Sequence, residues 1–236
     1  MDLIPETDLQ IRKKLLNFLL TFISDNKLKK FEEKIQYRSR HLTIVLEDIY
    51  QPHNASAVLR SCDCFGIQDV HIIENMNKYE VNPDVALGSA KWLRLIKYNE
   101  GTDNTALCLN SLKKKGYTIV ATSPHKDDFT PESLPLDNKT ALVFGTELEG
   151  LTDNAKEIAD AYVRIPMYGF TESLNISVSA ALLLFTLSER LRKSGIKWQL
   201  SEEEQTDTLL QWARNVVKRS DAIEREFFRK IEKREL

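Results

Sequence analysis

Side chains able to hold an anion or move a proton crowd the stretch from Thr140 to Leu187. In TALVFGTELEGLT, Gly145 and Gly150 bracket Glu147 and Glu149, and in IPMYGFTESLN, Gly169 precedes Glu172, Ser173 and Asn175. Glycine lets a backbone approach a ligand closely. Ser173 or Asn175 is placed to cap the apolar helix that follows, whose N-terminus adds amide donors and positive potential. Glu147 and Glu149 suit proton transfer, or simply decorate a turn. Upstream, His53 and Asn54 fall in a loop, and Arg60 lies off the apolar stripe Ala55, Val58, Leu59 and Cys62 of the next helix. An arginine fork suits phosphate, or an oxygen gaining negative charge. Ser123, His125 and Asp127 could be read as a nucleophilic set, but their adjacency is unlike a triad assembled from separate loops. The chain holds no GxGxxG, Walker lysine loop, paired CxxC or HExxH, so the usual nucleotide and zinc signatures do not apply.

The elements that must hold these residues alternate strand and helix. Apolar runs predict strands at Leu42–Leu46, Val70–Ile73, Trp92–Tyr98, Thr118–Ala121, Ala141–Phe144 and Val163–Ile165, the last stopped by Pro166. Between them fall a helix from Ala55, a long irregular connection from Asn75 to Ala90, and a helix from Ala106 to Lys115 ended by Gly116. The helix starting within SLN is expected to bury Ile176, Val178, Ala181, Leu182, Leu184 and Phe185. This alternation predicts an α/β fold with a mainly parallel sheet sandwiched by helices. Two strand ends and a helix start then face one crevice, where open α/β sheets bind ligands.

The two ends of the chain are helical extensions of different character. Leu9–Ile23 is too rich in leucine and phenylalanine to be a free arm, Asp25-Asn26 breaks it, and Leu28–Arg38 follows as a basic docked helix. Beyond Gly195, Glu202–Lys218 and Asp221–Lys233 form two polar helices, the first docking through Leu209, Leu210, Trp212 and Val216. The division is therefore 1–40, a basic helical arm; 41–195, the core; and 196–236, a C-terminal extension. The formal charge of -2 makes no case for nucleic acid, yet residues 11–40 hold nine Lys/Arg against three acids while 41–188 hold twelve against nineteen. Cys62, Cys64 and Cys108 make neither a metal set nor a disulfide framework. With no signal segment and no run of eighteen apolar residues, a cytoplasmic protein without membrane contact is expected.

Three stretches, PHNASAVLRSCDCFG, LVFGTELEGLT and IPMYGFTESLNISVSAALLL, resemble in order and separation the signature motifs of the SPOUT methyltransferases, specifically the TrmH branch acting on tRNA guanosine. The likeness spans about residues 41–195, with a departure at Phe170-Thr171-Glu172. It implies a deep trefoil knot in the C-terminal part of the core, S-adenosylmethionine as cofactor, no metal, and a homodimer whose active site draws on both subunits. The implied reaction is methylation of a ribose 2′-hydroxyl, most closely the D-loop guanosine of tRNA. A guanosine 2′-O-methyltransferase of 23S rRNA and an inactive knotted RNA-binding protein are the alternatives.

Carried over residue by residue, the resemblance implies catalytic roles for Asn54, Arg60, Glu147, Ser173 and Asn175. It implies a cofactor pocket of Thr122, Gly145, Glu147, Ile165, Met167, Ser173 and Leu174. Family accounts give the proton step to the residue at Arg60, but an arginine pKa above about 12 leaves almost no neutral base. Stabilising a developing alkoxide is the milder role. Phosphate contacts are expected from the basic extensions, at Lys27, Lys29, Lys30, Lys34, Arg38, Arg40, Arg225, Arg229 and Lys230.

Overall fold

The computed structural model describes residues 8–80, 88–126 and 128–232. Part of the expected 75–90 connection, Asp127 and Lys233 lie outside the described residues. In chain order the helices are α1 (Leu9–Leu20), α2 (Asp25–Ile35), α3 (Pro52–Cys64), α4 (Asn104–Lys114), α5 (Asp153–Ile158), α6 (Ile176–Lys193), α7 (Glu202–Val216) and α8 (Ser220–Glu232). The strands are β1 (Leu42–Glu47), β2 (Asp69–Ile73), β3 (Arg94–Tyr98), β4 (Tyr117–Thr122), β5 (Lys139–Phe144) and β6 (Ala161–Val163). They divide between two compact units, Ser39–Trp198 and a unit built from both ends of the chain, Met1–Arg38 with Gln199–Leu236.

In the larger unit the six strands form one parallel sheet ordered β3-β2-β1-β5-β4-β6. Every residue of β1 and β2 is buried, polar ones included, as a strand covered by helices on both faces requires. On one face Ile44, Leu46 and Leu142 pack with Val58, Leu59 and Cys62 of α3 and with Ala180, Leu183, Leu184 and Leu187 of α6. On the other, Val45, Ile119 and Val143 pack with Cys108, Leu109 and Leu112 of α4 and Ala155 of α5. After β3 the chain crosses to the far side to make β4, and β5 then fills the place between β1 and β4. That reversal opens a crevice beyond the carboxyl ends of β1, β5 and β4.

The structure corrects three local expectations. The last strand is Ala161–Val163, because pairing with β4 runs out at Thr122 and only an isolated bridge from Val163 to Phe129 remains beyond the sheet. Asp25-Asn26 opens α2 rather than only breaking α1, since Ser24 is its N-cap and an acid in the first turn suits the helix dipole. On α6 the buried positions are Ile176, Ala180, Leu183, Leu184, Leu187, Ser188 and Leu191, so Val178, Leu182 and Phe185 stand 45%, 43% and 57% exposed as an apolar stripe.

The terminal unit buries Leu15, Leu19, Phe31, Ile35, Leu210, Trp212 and Phe227. Arg12 reaches from α1 to both Glu203 and Asp207 of α7, and Arg214 of α7 grips Glu224 of α8 at 2.7 Å. A capping box of Ser201 and Glu204 starts α7. The expected arm and C-terminal extension are thus halves of one unit.

Candidate active site

Loop residues 146–151 and the start of α6 divide the crevice into two adjoining clefts. The larger, about 720 Å3, is lined by Thr122, Gly145, Glu147, Ile165, Met167, Ser173 and Leu174, with Leu183 at its apolar side. All seven residues expected to hold the cofactor are therefore brought together. His125, which the sequence offered only as part of a nucleophilic set, also lines it, as do Lys126 and Lys156, which nothing in the sequence set apart. The smaller cleft, about 490 Å3, is lined by Glu47, Asp48, Tyr50, Gln51, Asn54, Met76, Asn77 and the shared loop.

Three distant residues meet at the border. The Asn54 amide donates to Glu147 Oε1 at 2.7 Å and the Asn175 amide to the same oxygen at 2.8 Å, while Asn175 also donates to Asn54 Oδ1 at 3.2 Å. Asn54 lines the smaller cleft, Asn175 the larger, and Glu147 both. Each is held by local structure. Pro52 at the first turn of α3 starts the helix earlier than expected and puts buried Asn54 on it. Asn175, not Ser173, caps α6, its Oδ1 accepting from the Ser177 amide at 2.8 Å. The loop carrying Glu147 is closed by paired backbone bonds between Thr146 and Gly150. A Cβ on Gly145 would stand 2.2 Å from the Gly150 carbonyl, so only glycine lets this loop fold back.

Two acids at the end of β1, its last residue Glu47 and the following Asp48, brace the same place and were missed from sequence. Glu47, buried, accepts from Thr105 Oγ1 at 2.6 Å, the Thr152 amide at 3.0 Å and Thr152 Oγ1 at 2.7 Å, tying down the far end of the loop. Asp48 has a φ of 51° and one of its carboxylate oxygens accepts the backbone amides of Asn75, Met76 and Asn77. Two consecutive acids ending an apolar strand were the available signal.

Arg60 is exposed and lines neither cleft of its own chain. His125 and Ser123 meet only through the His125 backbone amide, at 3.2 Å, and Asp127 lies outside the described residues. Among the basic residues expected to meet phosphate, Lys29, Lys30, Arg225 and Arg229 are exposed. Lys27 is half-buried, Lys34 pairs with Glu33 at 2.6 Å, and Lys230 pairs with Glu226 at 3.0 Å. Arg38 and Arg40 are corrections: Arg38 is buried over the Trp212 ring at 5.2 Å, and Arg40, only 14% exposed, pairs with Asp69 at 3.1 Å. Both are spent on packing or pairing inside their own units rather than presented to a polyanion. Among the described residues there is no group of three metal-ligating side chains, and no helix is long and apolar enough to cross a membrane.

Burial holds two other titratable groups inert. His71, stacked on Tyr98, is pushed down to about 3 and Cys108 up to about 12, in each case chiefly because the charged form would lose its water. Neither reaches the clefts.

The SpoU rRNA Methylase family matches residues 41–185. The tRNA (guanosine(18)-2'-O)-methyltransferase of Borreliella burgdorferi is 46% identical over 89% of this chain and 95% of its own. Among solved structures, the A. aeolicus TrmH/SpoU tRNA modifying enzyme superposes with a TM-score of 0.73 at 31% identity, over 82% of this chain and 98% of that one. An AdoMet-bound rRNA methyltransferase from Sinorhizobium meliloti shares the fold at 19% identity, with a TM-score of 0.55 over 66% of this chain and 59% of that one.

Proposed function

The chain belongs to the SpoU rRNA Methylase family, and from that premise we propose that it methylates the ribose 2′-hydroxyl of guanosine 18, in the D loop of tRNA, using S-adenosylmethionine. The observation that carries this reading is the Asn54–Glu147–Asn175 cluster between two clefts, one for a methyl donor and one for its acceptor. The tRNA branch is favoured because the Borreliella burgdorferi relative, so named, matches over nearly the whole chain rather than the core alone.

The larger cleft fits the cofactor in size and chemistry. Ligand pockets of this kind fall between about 300 and 1,000 Å3 and are mostly apolar with a few placed polar groups. Ile165, Met167, Leu174 and Leu183 offer apolar wall to a base, while Thr122, Ser173 and backbone groups around Gly145 offer hydrogen bonds. S-adenosylmethionine would supply a methyl on a positively charged sulfur, so the protein has mainly to align donor and acceptor and remove one proton. Glu147 holds the two asparagine amides at the border and is the carboxylate placed to accept the 2′-hydroxyl proton. Asn54 and Asn175 hold that carboxylate toward the ribose, and the N-terminus of α6 adds positive potential beside it.

Arg60 acts across a homodimer in this reading. It lies outside both clefts of its own chain, and α6, packed beside the helix that carries Arg60, exposes Val178, Leu182 and Phe185. A second copy covering that stripe brings its arginine to the 2′-oxygen as charge develops there. The deep trefoil knot rests on the family resemblance, and a cytoplasmic location on the tRNA-modifying relatives together with the character of the sequence. The terminal unit grips the tRNA backbone through Lys29, Lys30, Arg225 and Arg229.

The test is transfer of labelled methyl from S-adenosylmethionine to an unmodified tRNA transcript and to unmodified ribosomal RNA in parallel, followed by mapping of 2′-O-methyl positions. A single modified guanosine in the D loop is expected. Label appearing only in ribosomal RNA, or none at all, overturns the reading.

A further inference from the structure

We infer that the smaller cleft is the pocket for the target nucleoside itself, turned out of the RNA, with Tyr50, Met76 and Leu148 as the apolar surfaces that hold its base. The inference rests on the methyl-transfer reading and extends it to the base. Three observations carry it.

The first is the border. The two clefts share Glu147 as lining, and on the smaller cleft's side Asn54 donates to it, so an acceptor lying there faces a methyl donor in the larger cleft across this carboxylate. A ribose at Asn54 puts its 2′-oxygen at this border and its base farther into the smaller cleft.

The second is the character of the walls. Tyr50 is 75% exposed, Met76 88% and Leu148 98%, three large apolar side chains on three separate loops around one opening. Single exposed apolar residues are ordinary, but three lining one cleft next to a catalytic cluster form a surface for a flat apolar ligand. A nucleobase removed from its stack loses just such contacts, and enzymes acting on extruded nucleotides restore them with aromatic and apolar side chains.

The third is rigidity where it is needed. Asp48 fixes the loop carrying Met76 and Asn77 through three backbone amides, and Glu47 fixes the loop carrying Leu148 through Thr152. Gln51 accepts from the Asn54 amide through its side-chain oxygen at 2.8 Å, which leaves its NH2 as the donor end at this wall, free to meet an acceptor on the base edge.

The experiment uses the full chain with two RNAs: an unmodified tRNA transcript, and the same transcript with 2-aminopurine at the target guanine. Tyr50→Ala and Met76→Ala should each lower kcat/KM for the transcript, Tyr50→Ala by roughly five- to a hundredfold. Affinity for S-adenosylmethionine should stay within about twofold, which also reports that the protein is folded. Tyr50→Phe should restore most of the loss. The emission of 2-aminopurine should change on binding to the wild type and to Tyr50→Phe, and much less on binding to the Tyr50→Ala, Met76→Ala double variant. If the double variant methylates the transcript as the wild type does, or gives the same emission change, the base lies elsewhere and this inference falls while methyl transfer stands. If the wild type binds S-adenosylmethionine but methylates no tRNA, the reading beneath it falls as well.

Discussion

Asn54 and Asn175, 121 residues apart in the chain, donate their side-chain amides to the same oxygen of Glu147. One asparagine sits on the first turn of α3 and the other caps α6, so this carboxylate joins two elements at the point where the clefts meet.

Removing that acceptor should uncouple chemistry from binding. Glu147→Ala is expected to lower single-turnover methyl transfer about a hundredfold or more, as loss of a group acting in the transition state does. S-adenosylmethionine affinity, measured by calorimetry, should change far less. Glu147→Gln keeps an oxygen for the two amides but cannot take a proton, and its rate should stay close to that of the alanine variant. Near-normal turnover in Glu147→Gln would reduce Glu147 to holding Asn54 and Asn175.

His71 supplies a pH dependence of stability that is independent of activity. Its folded-state pKa is depressed to about 3, chiefly by burial, against 6.5 for the unperturbed group. Below pH 6.5 the unfolded chain takes up a proton that the folded chain refuses, so stability falls as pH falls and is fully present above 6.5. The slope approaches about 1.4 kcal/mol per pH unit, or about 2 kcal/mol between pH 6.5 and 5. Urea denaturation of wild type and His71→Phe at several pH values should show a steeper loss in the wild type by that amount. Parallel curves would mean that His71 titrates normally in the folded chain.

The sheet was legible because β1, β2 and β5 are buried on both faces over nearly their whole length and so read as mostly apolar runs. Strand order was not legible, since the return of β5 to the place between β1 and β4 is a long-range pairing that no local pattern carries. Asn54, Glu147 and Asn175 were singled out by motif, but their meeting at one oxygen depends on how α3, the loop and α6 dock. The outward face of α6 was misread because all its faces carry apolar residues, which leaves the burial period ambiguous. Arg38 and Arg40 misled for the opposite reason: a charge in a basic run looks solvated, and only packing revealed a partner in Trp212 and Asp69.

That distinction among basic residues is itself testable. Reversing Lys29, Lys30, Arg225 and Arg229 to glutamate should weaken tRNA binding and flatten the dependence of log Kd on log salt, because fewer counterions are released. Thermal stability should barely change, as these side chains are exposed. Arg38→Glu should instead lower the melting temperature by several degrees, since it places a carboxylate in a buried site over Trp212. Unchanged salt slopes in the fourfold variant would move the RNA surface away from the terminal unit.

The shared site can be tested by complementation. If Arg60 serves the partner's clefts, Arg60→Ala and Glu147→Ala are each nearly inactive as homodimers, yet a mixed dimer holds one site built from the intact Glu147 of one copy and the intact Arg60 of the other. Co-expression with two affinity tags and purification through both should recover a substantial fraction of the wild-type rate per site. If Arg60 acts within its own chain, both sites of the mixed dimer remain broken and no activity returns. Leu182→Glu provides the control, because a charge in the exposed apolar stripe of Val178, Leu182 and Phe185 should leave a folded monomer near 27.2 kDa in the ultracentrifuge, with methyl transfer lost. A monomer that still methylates tRNA would end the shared-site proposal whatever the mixed dimer shows.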